Sequence, residues 1–220
     1  MAQSADNTFY TIIATISGVI IGWALSVINK IWEKKREIDD FINGLNAELQ
    51  DIKVVFTMLS IELLSKAKMA DKSTFDWAIS ILEESESQLV EMEKRVLEGW
   101  KKIVKFDDFE EAWRLVYMAE ERKSLSLAEI KTPFFDSKIN HVPSLDQTLR
   151  NLIIKVYRRI NNFNEHVEKY NIYHFKTFDS NLTEKNYEII TQTINDSHKN
   201  LGVQAKIIVD EISKIQKALP

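Results

Sequence analysis

Four histidines, His141, His166, His174 and His198, are the side chains in this sequence suited to proton transfer or metal ligation near neutral pH. None stands at the His-x-x-x-His or Glu-x-x-His spacing that puts two ligands on one helix face, so no metal site is expected. One pairing has a spacing of interest. Arg159 and His166, in RRINNFNEH, are seven residues apart and share one face of a helix, ~10 Å apart along its axis. The other common apparatus of catalysis is missing from the sequence. It has no cysteine, hence no disulfide framework, thiolate nucleophile or cysteine zinc site. No glycine-rich loop follows a strand and no G-x-S-x-G elbow occurs, so neither a nucleotide cofactor nor a serine hydrolase is indicated. No cofactor is expected, and an enzyme is the less favoured class.

The elements that would carry these residues are helices. Five glycines and three prolines in 220 residues leave few places for tight turns, and no proline precedes Pro133. With 28% charged and 45% hydrophobic residues the chain is too apolar for disorder and too charged for a polytopic membrane protein. Its near-balanced charge, net −4, makes no general case for nucleic acid.

Between Asp6 and Lys30 lie 23 uncharged residues, ~34 Å of helix, enough to cross a ~30 Å hydrocarbon core. No basic residue precedes this run and no small-residue cleavage site follows it, which predicts a retained anchor over a signal peptide. Lys30, Lys34, Lys35 and Arg36 stand just after it, so the positive-inside rule places the amino terminus outside and the rest in the cytoplasm. The expected organisation is a transmembrane anchor over 1–30 and a cytoplasmic helical bundle over 31–220. Within the span, Thr11, Thr15, Gly18, Gly22, Ser26 and Asn29 recur at spacings of four and three and share one side. Gly18 and Gly22 form a G-x-x-x-G pair, which predicts close packing of spans in a homo-oligomer; the polar members of the stripe could line a pore.

Beyond the basic collar, Ile38, Ile42, Leu45, Leu49, Ile52, Phe56, Leu59 and Leu63 keep a strict 4-3 spacing. This predicts a coiled-coil or bundle seam continuous with the span. Further helices are expected from Ser73 to about Val104, from Asp107 or Asp108, from a Ser144/Gln147 capping box, and from near Thr183 to the end. Residues 128–143, framed by Pro133 and Pro143, are expected to be one long loop. The fold class is therefore all-α: a single span continuing into about five long helices.

Charge is uneven along the bundle. Residues 71–130 carry a net of −6 and residues 131–220 a net of +3, with Arg150, Lys155, Arg158, Arg159 and Lys169 on one helix. Such a surface would either pair with the acidic helices or take an anionic ligand, RNA or phospholipid headgroups.

The Arg159…His166 segment resembles the Arg…His pair of helical ribonucleases of the HEPN class, with Ile160 where that class prefers a polar residue. The resemblance implies a histidine acting as general acid or base and an arginine stabilising charge on phosphate. As a layout, one glycine-bearing span, a basic collar and a helical bundle are similar to single-pass membrane effectors and accessories of bacterial anti-phage systems. In particular, the layout resembles the membrane-pore accessory of Cas13b loci. It implies homo-oligomers that permeabilise or depolarise the inner membrane without catalysis. A membrane-tethered ribonuclease and a helical scaffold or sensor that docks a partner protein are the alternatives.

Overall fold

The computed structural model describes residues 2–117, 126–179 and 181–219, with side chains from residue 19 onward except at 115–117. All regular structure among the described residues is helical. It comprises α1 (Ala2–Lys66), α2 (Lys72–Glu84), α3 (Glu91–Ile103), α4 (Phe109–Tyr117), α5 (Pro133–Lys138), α6 (Gln147–Lys176) and α7 (Glu184–Ala218). The chain is all-α, as its shortage of turn-forming residues predicts. It divides into two units, Met1–Gly44 and Leu45–Pro220.

In the first unit α1 runs unbroken through Asn29 and Gly44. No helix among the described residues is long and apolar enough to cross a membrane. Of the uncharged run 7–29, residues 7–18 have side chains outside the described set, and the remaining eleven rise only ~16 Å.

The second unit is built around the last part of α1. Leu45, Leu49, Ile52, Phe56 and Leu63 of the expected seam are all buried there. A second stripe, Val54 and Ile61, faces α2 and α3, where it joins Phe75, Ala78, Leu82, Leu97, Trp100 and Ile103. Phe75 sets the geometry of that core, edge-on to Trp100 at 5.7 Å and to Phe109 of α4 at 5.4 Å. Such contacts add about 0.5–1.5 kcal/mol beyond burial. The other side of α1 meets α6 and α7. Phe56 packs edge-on against Phe163 at 4.9 Å, and Ser60 Oγ donates to the Gly202 carbonyl at 3.0 Å. Burying apolar stripes on two sides is what widens the apolar face of α1 beyond a coiled-coil seam.

Gly202 is required for that approach. A Cβ there would stand 2.8 Å from Leu64 Cγ and 3.2 Å from the Leu64 backbone nitrogen. Gly202→Val is expected to destabilise the protein by about 1–3 kcal/mol, the usual cost of overpacking a core. Urea unfolding checks this, and Leu64→Ala should recover part of the loss.

Several element boundaries differ from the sequence reading, each for a local reason. The expected helix from Ser73 to Val104 is two helices. Ser85 Oγ turns back onto the Ile81 carbonyl, and the Glu93 carboxylate accepts from the Val90 N–H to open α3. Asp71, not Ser73, caps α2, its carboxylate accepting from Thr74 N. Asp146, not Ser144, caps α6, accepting from the Thr148 and Leu149 amides. The expected loop 128–143 contains α5, with Pro133 at its first position, where a missing N–H costs nothing. Its capping carboxylate comes from Glu48 of α1, which accepts from Phe134 N at 2.7 Å and Phe135 N at 3.1 Å. Tyr187, in the first turns of α7, is half exposed.

Candidate functional site

The antiparallel α6–α7 pair carries most of the residues singled out for chemistry. Arg159 Nε lies 2.7 Å from Glu211 Oε2, and Lys155 Nζ lies 2.7 Å from Glu211 Oε1. The Arg159 contact is a close ion pair without hydrogen-bond alignment. Seven residues further on, the Gln204 side-chain amide nitrogen lies 2.8 Å from His166 Nδ1, within hydrogen-bond distance. Seven residues separate Arg159 from His166 on α6, and seven separate Gln204 from Glu211 on α7. The two pairs are therefore successive rungs between antiparallel helices. Glu211 is buried, so its carboxylate depends on both cations for compensation.

The remaining basic residues do not converge. Arg158 and Lys169 are exposed on α6 and stand eleven residues, ~16 Å, apart along it. Arg150 is half-buried near its start. Among the described residues no three histidine, aspartate or glutamate side chains come together in a way that could hold a metal ion.

Of the small-residue face in α1, Thr11, Thr15 and Gly18 have side chains outside the described residues. Gly22, Ser26 and Asn29 are exposed, and a Cβ built at Gly22 meets nothing within 4 Å. The apolar neighbours are exposed too: Val19, Ile20 and Ile21 are consecutive and each more than half exposed, with Trp23 at 69% and Trp32 at 75%. Three consecutive positions point to different sides of a helix, so residues 19–21 present apolar side chains around most of its circumference.

A cluster that spacing alone does not reveal lies where α6, α7 and the end of α1 meet. His174 and His198 are both buried. Tyr170 stacks on His174 at 5.9 Å, and its hydroxyl is 3.1 Å from His198 Nε2. Phe175 and Phe178 approach the His174 ring edge-on. Both ring nitrogens of His174 and Nδ1 of His198 are buried without a hydrogen-bond partner among the described residues. Burial above all, then the electrostatic influence of Lys66 and His174, pushes the His198 imidazole down to about 4. Burial, then the Glu62 carboxylate, pushes the Tyr170 hydroxyl up to about 12. Tyr157 is raised for the same first reason, and by its hydrogen bond to Glu48.

Buried polar side chains also tie α1 to its neighbours. Lys53 is almost fully covered, with Nζ 3.1 Å from Glu84 Oε2 and 3.3 Å from Gln216 Oε1. These contacts join α1 to α2 and α7, and losing one partner would leave the Lys53 charge buried and uncompensated.

The chain matches no known protein family, no curated protein and no solved structure.

Proposed function

We propose that the protein is a membrane-anchored, self-associating effector without catalytic activity, whose N-terminal helices form or gate a conductance in the inner membrane as part of anti-phage defence. The observation that carries this reading is the run of exposed apolar side chains on α1 over residues 19–28, Val19, Ile20, Ile21, Trp23, Leu25, Val27 and Ile28. A helix apolar on all sides is stable only inside a protein core or in lipid. The basic collar of Lys30, Lys34, Lys35 and Arg36 supports an orientation with the helical bundle in the cytoplasm. The exposed Gly22, Ser26 and Asn29 support packing between copies, because close approach of backbones is what holds spans together in lipid.

Engagement of Arg159 with Glu211 and of His166 with Gln204 supports a structural role for that pair. The exposed side chains of Ile172, Phe175, Phe178, Tyr187 and Ile189, near the α6–α7 turn, favour a second reading in which this end docks a sensor protein.

Gly22→Leu is the discriminating variant, since a single chain accommodates a side chain there without contact. The wild type is expected to be oligomeric in mild detergent and to depolarise cells on induction, Gly22→Leu to lose both properties, and His166→Ala to retain both. A wild-type monomer that leaves membrane potential intact contradicts the proposal. Loss of toxicity in His166→Ala with unchanged oligomers would favour a ribonuclease.

A further inference from the structure

Asn164 and Asn171 of α6 each hold one residue of the segment ahead of α5 by both of its backbone groups. Asn164 Oδ1 accepts from Ile130 N at 2.9 Å while its Nδ2 donates to Ile130 O at 2.9 Å. Asn171 does the same to Leu127, at 3.3 Å and 2.8 Å. The two spacings match. Seven helical residues rise ~10.5 Å, and three extended residues span ~10 Å. Leu127 pairs with Asn171 and Ile130 with Asn164, so the segment runs antiparallel to α6.

A carboxamide that takes a peptide N–H and C=O together reads the backbone and is indifferent to the side chain borne there. In sheet-edge recognition the same division holds: main-chain bonds give affinity and pockets for particular side chains give specificity. Here the pockets are few. Within 126–132 only Leu127 and Thr132 are buried, whereas Ala128, Glu129 and Lys131 are exposed. A segment with so few buried contacts belongs to the low-stability end of a fold. It leads through Thr132 directly into α5, which is held by Glu48 and by Phe135 stacked on Tyr157 at 3.5 Å.

We propose that this face of α6 is a binding site for an extended peptide, filled in the single chain by its own residues 126–131 and able to take the same segment from a second copy. The second copy is the occupant of choice because it brings the one segment known to fit both the clamps and the Leu127 position. Exchange of an identical element between copies makes the same contacts in trans as in cis, and so costs little, with α5 moving along with the segment onto Glu48 and Tyr157 of the second copy. The proposal does not depend on association through the N-terminal helix.

The chain has no cysteine, so cross-linking can report this exchange without background. Glu129→Cys and Glu168→Cys alter exposed positions, one on the segment and one on α6 beside the clamps. A full-length chain carrying both is expected to cross-link within itself. Differently tagged full-length chains, each carrying one cysteine, are expected to cross-link to each other when mixed at high concentration. That intermolecular product should fall at least fivefold with Asn171→Ala in the Glu168→Cys chain. It should fall likewise with excess synthetic peptide Ser-Leu-Ala-Glu-Ile-Lys-Thr, which requires no destabilising variant. Scoring it again with Gly22→Leu in both chains separates exchange from assembly through α1. Cross-linking confined to single chains overturns the proposal, as does an intermolecular product indifferent to both Asn171 and the peptide.

Discussion

Phe163→Ala is expected to lower the unfolding free energy by about 3–5 kcal/mol, the range for removing a large aromatic side chain from a close-packed core. Phe163 is fully buried, as is its partner Phe56, and the two rings meet edge-on at 4.9 Å. Substitution leaves a cavity between α1 and α6 that rigid helices cannot close. Phe56→Ala should cost a similar amount. The double variant should cost less than the sum of the singles, because the ring–ring contact can be lost only once. Urea unfolding of the full chain in mild detergent, with Trp23 and Trp32 replaced by Phe so that fluorescence reports on Trp77, Trp100 and Trp113, measures all three. Additive losses would place the coupling of α1 to α6 elsewhere.

Acidification is expected to destabilise the same region from the other end of α6. His198 is buried and neutral, with its titration pushed down to about 4 from an ordinary 6.5. The groups facing it are Lys66 from α1 and Tyr170 and His174 from α6. Above pH 6.5 the histidine is neutral in both folded and unfolded chains and contributes no pH dependence. Between 6.5 and 4 the unfolded chain binds the proton and the folded one does not, so stability falls as pH falls. The loss reaches about 3 kcal/mol near pH 4, at ~1.36 kcal/mol per unit. His198→Gln removes the titrating group and keeps a side-chain amide near the Tyr170 hydroxyl. Its unfolding free energy should vary less with pH than that of the wild type across this window. Parallel pH profiles for the two proteins would show that His198 is not the group responsible.

How much of this was legible in the sequence differs from element to element. The seam of Leu45, Leu49, Ile52, Phe56 and Leu63 was legible because burial on a helix obeys a period that local sequence displays. The start of α6 was not. Ser144 and Asp146 are both good caps, and the choice fell to Asp146 because residues 139–144 wind into a 3-10 helix first. The break after α2 rests on Ser85, which is buried and accepts a hydrogen bond from the Gln50 side chain, a contact 35 residues distant in sequence. At the candidate site, a shared face for Arg159 and His166 follows from helix geometry alone. Glu211 and Gln204 opposite them do not, since the register of α7 against α6 is decided by packing. Asn164 and Asn171 show a seven-residue spacing, but the backbone they hold carries no periodic signal. The pairing of His174 with His198 was hidden for the same reason: 24 residues and a helix turn separate them.

Alkaline extraction of membranes from cells expressing the full chain tests the proposed insertion of residues 19–28 of α1 in lipid. The protein is expected to stay in the membrane pellet, and charged replacements at Ile20, Ile21 and Ile28 together are expected to release it to the supernatant. Quantitative recovery of the unaltered chain in the supernatant would contradict it.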